Sequence, residues 1–168
     1  MYTIVSGTNR IGSNSLKIAK EYQLILHEKG INANLLSLEG LNLLTRNKEL
    51  QSIEDEIIRP TEKFLFVVPE YNGSYPGVLK LLIDIGQPQL LWWHKKALLT
   101  GVATGRSGNV RGMEHLAGVL NYLKITIYPN LLPISQVDKL LDQDGRLKDP
   151  ATMQVIRQQV DQFVDWCR

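Results

Sequence analysis

The sequence predicts a doubly wound α/β fold, a five-stranded parallel sheet with helices on both faces. Three observations carry the prediction. Apolar strand-like runs alternate with amphipathic helix-like runs along the chain. Two of those runs, Phe64–Val68 and Ala97–Ala103, are apolar on both alternations, as strands covered on both faces should be. The two least ordinary loops, 7–14 and 69–76, follow the first and third strands. In the common five-stranded order 2-1-3-4-5 the winding reverses there, and a ligand crevice opens beyond the carboxyl ends of those strands.

Each element has a local reason. Thr3–Ser6 is the first strand. The helix after it carries Ile18, Tyr22, Ile25 and Leu26 at i, i+4, i+7, i+8 spacing and ends at Gly30. Asn34–Leu38 is the second strand, and a more polar helix over 46–58 is stopped by Pro60. Phe64–Val68 is the third strand, ended by Pro69. Pro76 suits a first helical position, with Val78, Leu79 and Leu82 facing inward. Ala97–Ala103 is the fourth strand, and Met113, Leu116, Ala117, Leu120 and Leu123 form the stripe of the next helix. Ile125–Tyr128 is the fifth strand. Asp149 caps a final helix begun by Pro150, with Met153, Ile156, Val160 and Phe163 as its buried stripe.

Composition narrows the function. The 168 residues fit a single domain spanning 1–168. A formal charge of +2 gives no basis for binding nucleic acid or an anionic membrane. The apolar runs are far too short to span a bilayer. Met1 leads straight into a strand, leaving no room for a signal segment, and the single Cys167 cannot form an internal disulfide. A cytoplasmic protein is expected. His27, His94 and His115 lack metal-ligand spacing, so no metal site is expected. Asp142-Gln143-Asp144-Gly145 is a turn, because Met153 stands where a calcium loop needs its glutamate. The serines lack a His/Asp partner pattern, which removes a hydrolase.

The chemistry concentrates in the loops. The first reads Gly7-x-x-x-x-Gly12-Ser13-Asn14, where backbone N–H groups and a helix dipole favour an anion. Ser13 replaces the lysine of a nucleoside-triphosphate loop, and GxGxxG is absent. What remains is a set of neutral donors with one cation, Arg10, adequate for a phosphomonoester. An ordinary strand–helix turn with Ser/Asn capping is the plainer alternative. The second loop runs "PEYNGSYPGVLKLLID" from Pro69 to Asp84. Asn72-Gly73 supports a tight turn, and Tyr71 and Tyr75 offer flat surfaces at the crevice mouth. A planar aromatic ligand with a phosphate tail suits both loops together.

These two loops resemble the NAD(P)H-dependent FMN reductase family, of flavodoxin-like fold, which includes quinone, azo-dye and chromate reductases. Gly7-Thr8-Asn9-Arg10-Ile11-Gly12-Ser13-Asn14-Ser15 is similar to the family's GSxRxxS segment, and Pro69–Asp84 to its PEYNGSxPGxLKxxID segment. Residues 140–149, "LLDQDGRLKD", are similar to its late Asp-Gly segment. The resemblance implies FMN as cofactor and NADPH or NADH as hydride donor. Hydride passes through bound FMN to a quinone, free flavin or similar small acceptor. It implies that Thr8, Arg10, Ser13, Asn14 and Ser15 hold the FMN phosphate, and that Pro69, Glu70, Tyr71, Asn72 and Gly73 border the isoalloxazine ring. Thr104, Gly105, Ser107 and Gly108 occupy the segment that meets the pyrimidine side. No catalytic side chain is expected, since the flavin carries the chemistry.

The chain departs from the family in two places. Spaced glycines and two arginines, Arg106 and Arg111, replace a Gly-Gly segment, and Ile85 follows Asp84 where the family has tryptophan. The arginines either meet a nucleotide phosphate or are solvated. The family also implies a homodimer, alone or as a dimer of dimers. Trp92-Trp93, read as an exposed pair, favours that contact, with core packing as the alternative. Two rival classes remain: a flavodoxin-like electron carrier, whose usual acidic surface the +2 charge opposes, and a flavodoxin-like protein that has lost FMN and catalysis.

Overall fold

The computed structural model describes residues 1–168. Its elements are β1 (Tyr2–Ser6), α1 (Asn14–Glu28), β2 (Ala33–Ser37), α2 (Lys48–Ile53), β3 (Lys63–Pro69), α3 (Gly77–Ile85), α4 (Pro88–Leu91), β4 (Lys96–Val102), α5 (Val110–Tyr122), β5 (Thr126–Ile127), β6 (Leu132–Ile134), α6 (Val137–Leu140) and α7 (Pro150–Trp166). All strand pairs are parallel, in the order β2-β1-β3-β4-β5, with β6 also on β4. This is the expected 2-1-3-4-5 winding.

The period of two along the central strands builds two cores. Phe64, Phe66 and Val68 of β3 and Leu99 of β4 join Leu79, Leu82, Met113 and Leu116 on the α3/α5 face. Leu65, Val67 and Leu98 join Ile18, Tyr22, Ile156, Val160 and Phe163 on the α1/α7 face. Asp149 caps α7 as expected, accepting from Thr152 N at 2.8 Å. In that helix the buried residues are Ile156, Gln159, Val160 and Phe163, while Met153 is only partly covered. No helix is long and apolar enough to cross a membrane.

Four local expectations change. The helix over 46–58 is α-helical only to Ile53 and continues as a π-helical turn, Glu54–Ile58. Pro76 is the cap before α3 rather than its first residue, in extended conformation at ψ 138. Trp92 is fully buried against Phe64, with ring centroids 5.3 Å apart, so only Trp93 of the pair reaches solvent. Its ring carries Lys124 Nζ at 3.5 Å.

The fifth strand is split. Ile127 pairs with Ala97 and Leu132 with Thr100, so the edge uses five steps where β4 uses three. The surplus forms an excursion through Pro129, which has no N–H for the ladder. Gln159 Nε2 donates to Asn130 O at 2.8 Å and holds the excursion to α7. The same amide's Oε1 accepts from Tyr22 Oη at 2.5 Å and Thr100 Oγ1 at 3.2 Å. These buried polar groups are thereby paired among themselves.

Candidate functional site: three loops at the sheet's carboxyl edge

β1 ends at Ser6, and Gly7 N donates to Val67 O at 2.9 Å, which keeps the first loop on β3. Thr8 is buried. Its hydroxyl lies 2.5 Å from Tyr71 Oη and accepts from Arg10 N at 3.3 Å. Gly12 turns the chain at φ +62. Ser13 caps α1, its Oγ accepting from Leu16 N at 3.2 Å and lying 3.1 Å from Ser15 Oγ. Asn14 opens the helix and accepts from Lys17 Nζ at 3.4 Å. The Arg10 guanidinium lies 4.1 Å from the Tyr71 ring centroid, a cation–π stack, and has no carboxylate partner.

The second loop is a hairpin turn. Tyr71 N donates to Ser74 O at 2.8 Å and Ser74 N to Tyr71 O at 3.0 Å. Asn72 and Gly73 between them have φ 50 and 75, the left-handed pair that an Asn-Gly turn favours. The Arg111 side chain lies against Gly73, where a Cβ would come within 3.1 Å of Nη1. Ser74 Oγ meets His115 Nδ1 at 3.0 Å. Burial raises the Tyr75 phenol above its ordinary value, so this half-buried ring stays neutral.

The third loop is tied to the second. Ser107 Oγ donates to Glu70 Oε2 at 2.5 Å, and the buried Asn109 donates from Nδ2 to Val68 O at 2.9 Å. Gly108 packs on Pro133 of β6, where a Cβ would come within 2.6 Å. Gly105 O accepts from Gln136 N at 3.0 Å and Ala103 O from Val137 N at 3.1 Å, which brings the start of α6 to the crevice.

The loops enclose a cavity of about 320 Å³. Thr8, Arg10, Ser13, Asn14, Ser15, Pro69, Glu70, Tyr71 and Thr104 line it, as do Ile11, Gly12, Val102, Ala103 and Val137. Asn72, Gly73, Gly105, Ser107 and Gly108 lie outside the wall, in the two loops that frame it. The donor set suits FMN. Hydroxyls from Thr8, Ser13 and Ser15 with one cation match a phosphomonoester at a helix start, and Tyr71, Val102, Ala103 and Val137 offer apolar surface to a ring. Sequence reasoning missed Val137, which reaches the site only through the split edge, and Asn109, which anchors the third loop.

The family model for NADPH-dependent FMN reductase matches residues 2–139. The chain belongs to this family. An NAD(P)H-dependent FMN reductase of Pseudomonas aeruginosa is 31% identical over 178 residues, covering 98% of this chain and 93% of that protein. A probable NADPH:quinone oxidoreductase 2 of Oryza sativa subsp. japonica is 30% identical, covering 87% and 78%. Among solved structures, FerB, a flavoenzyme NAD(P)H:(acceptor) oxidoreductase from Paracoccus denitrificans, superposes with TM-score 0.83 at 26% identity, covering 98% and 95%. An archaeal flavodoxin shares the fold at TM-score 0.61 and 11% identity, covering 95% and 94%. As a family member the chain is an oxidoreductase that uses FMN and a nicotinamide donor, as its loops led one to expect.

Proposed function

We propose that this FMN reductase family member is a single domain over 1–168 that passes electrons from NAD(P)H to a small acceptor, a quinone or a free flavin. The observation that carries this reading is the cavity at the winding reversal, with a phosphate-type donor set at one end and an aromatic and apolar wall at the other. In this reading Thr8, Ser13, Asn14, Ser15 and Arg10 hold the phosphate. The 69–73 turn and Thr104 border the ring, with Gly105, Ser107 and Gly108 behind them. FMN, when bound, supplies the redox chemistry. The chain's part is to orient the ring, to present backbone N–H groups to it, and to keep one face open to donor and acceptor.

The acceptor class follows the quinone and flavin reductases among the relatives. Homodimerisation and a cytoplasmic location complete the proposal, with Ile11 the exposed apolar side chain at the crevice; Trp93 lies at the opposite, amino edge of the sheet, just before β4, and a contact beside the crevice leaves it out. The test uses purified protein. FMN released by denaturation, rapid NAD(P)H oxidation with a quinone present, and a dimer by light scattering are expected. Stoichiometric FAD overturns the cofactor assignment. Yellow protein without NAD(P)H oxidation identifies a carrier instead. Monomer alone with FMN fully bound overturns the dimer.

A further inference from the structure

The tip of the first loop is already occupied by an anion of the chain's own. Gly12 N donates to Glu39 Oε2 at 3.2 Å. The fold makes this contact. β1 and β2 are parallel with Ser6 opposite Ser37, so the segment leaving β2 runs beside the first loop. Glu39 N donates to Ser37 Oγ at 3.2 Å and Leu41 N to Leu38 O at 3.3 Å, and Gly40 turns the chain at φ 78. That turn carries Glu39 back toward residue 12. Its carboxylate pairs with no cation, while the loop's own cation, Arg10, is stacked on Tyr71.

We propose that Glu39 is an internal competitor for the flavin phosphate and sets how strongly the site prefers FMN to riboflavin. The inference rests on the reading that the first loop holds the phosphate. A carboxylate is acceptor-only, so it offers nothing to a phosphate and repels it. It also engages an amide that a phosphate at this loop would otherwise recruit. Phosphate binding must displace Glu39 or tolerate it, and either way the phosphate contributes less affinity than the loop's donors alone would give. The flavin is thereby exchangeable, which suits a free flavin as acceptor as well as cofactor.

The test titrates FMN and riboflavin against the wild-type protein, Glu39→Gln, Glu39→Ala and Arg10→Ala, following flavin fluorescence. Glu39→Gln removes the charge and keeps an acceptor for Gly12; Glu39→Ala removes both. Both should bind FMN roughly tenfold tighter, the low end of the weight of one charge-assisted hydrogen bond, with riboflavin unchanged and FMN dissociation slower. FMN affinity that is unchanged or weaker in both Glu39 variants, with Arg10→Ala still selective against FMN, overturns the proposal and leaves the phosphate loop standing. If all three variants move FMN and riboflavin together, the phosphate reading falls and the proposal with it.

Discussion

Gly101→Ala should damage the protein and its flavin site through one methyl group. Gly101 lies in β4, paired with Val68 of β3 on one side and Pro133 of β6 on the other, so the strand cannot retreat. A Cβ there would lie 2.1 Å from Gly108 O, 3.0 Å from Met113 Cε and 3.1 Å from Asn109 Cβ. Restoring ordinary contact requires the Gly108 carbonyl to withdraw by more than an ångström. Asn109 is the next residue, and a shift of that size carries its Nδ2 out of reach of Val68 O, now 2.9 Å away. Overpacking costs about 1–3 kcal/mol, and the buried Asn109 amide left without its acceptor costs a similar amount. A loss of about 2–5 kcal/mol is expected, on the order of 10 °C in Tm, together with weaker FMN binding because the displaced loop frames the crevice. Gly105→Ala is the control for stability, since a Cβ there meets no protein atom within 4 Å. Urea melts of both variants, and FMN titrations of Gly101→Ala against the wild-type protein, decide it. A Gly101→Ala protein as stable as Gly105→Ala and as tight for FMN as the wild type would refute the reasoning.

Two further substitutions probe charge. Arg10→Ala should weaken FMN roughly ten- to a hundredfold, the weight of one charge-assisted hydrogen bond, and barely change riboflavin, because Arg10's only fixed partner is the Tyr71 face; equal losses for the two ligands would remove Arg10 from the phosphate. Lys95 donates from Nζ to Ile58 O at 2.6 Å and Arg59 O at 3.1 Å, and burial pulls its ammonium from 10.5 down to about 8. The unfolded chain therefore holds this proton more tightly than the folded one. The destabilisation is fully present below about 8 and is relieved as pH rises toward 10.5. Relative to Lys95→Met, the wild-type protein should gain stability between those two values in urea melts, and a constant difference counts against the burial argument.

The buried strands were legible because β3 and β4 are apolar on both faces, and only a covered parallel sheet tolerates that. The Asn72-Gly73 turn and the Asp149 cap were legible because each is decided within four residues. What escaped depends on partners distant in sequence. The split edge arises from Gln159 gripping Asn130 O across 29 positions, which no local period records. Trp92 reads like Trp93 until the Phe64 ring is placed against it. Glu39 is an unremarkable acidic residue after a strand, and only the pairing of β1 with β2 brings it to Gly12.

The divided edge also governs how copies of this chain can meet. An outer strand with an unbroken row of free N–H and C=O groups invites another strand to add to it. Here the outer strand comes in pieces of two and three residues, Thr126–Ile127 and Leu132–Ile134. Pro129 interrupts the row between the pieces and Pro133 sits inside the second, each removing a donor. An incoming strand would lose its ladder within a few residues. The sheet is thus closed to growth on that side, and self-association there has to proceed through side chains.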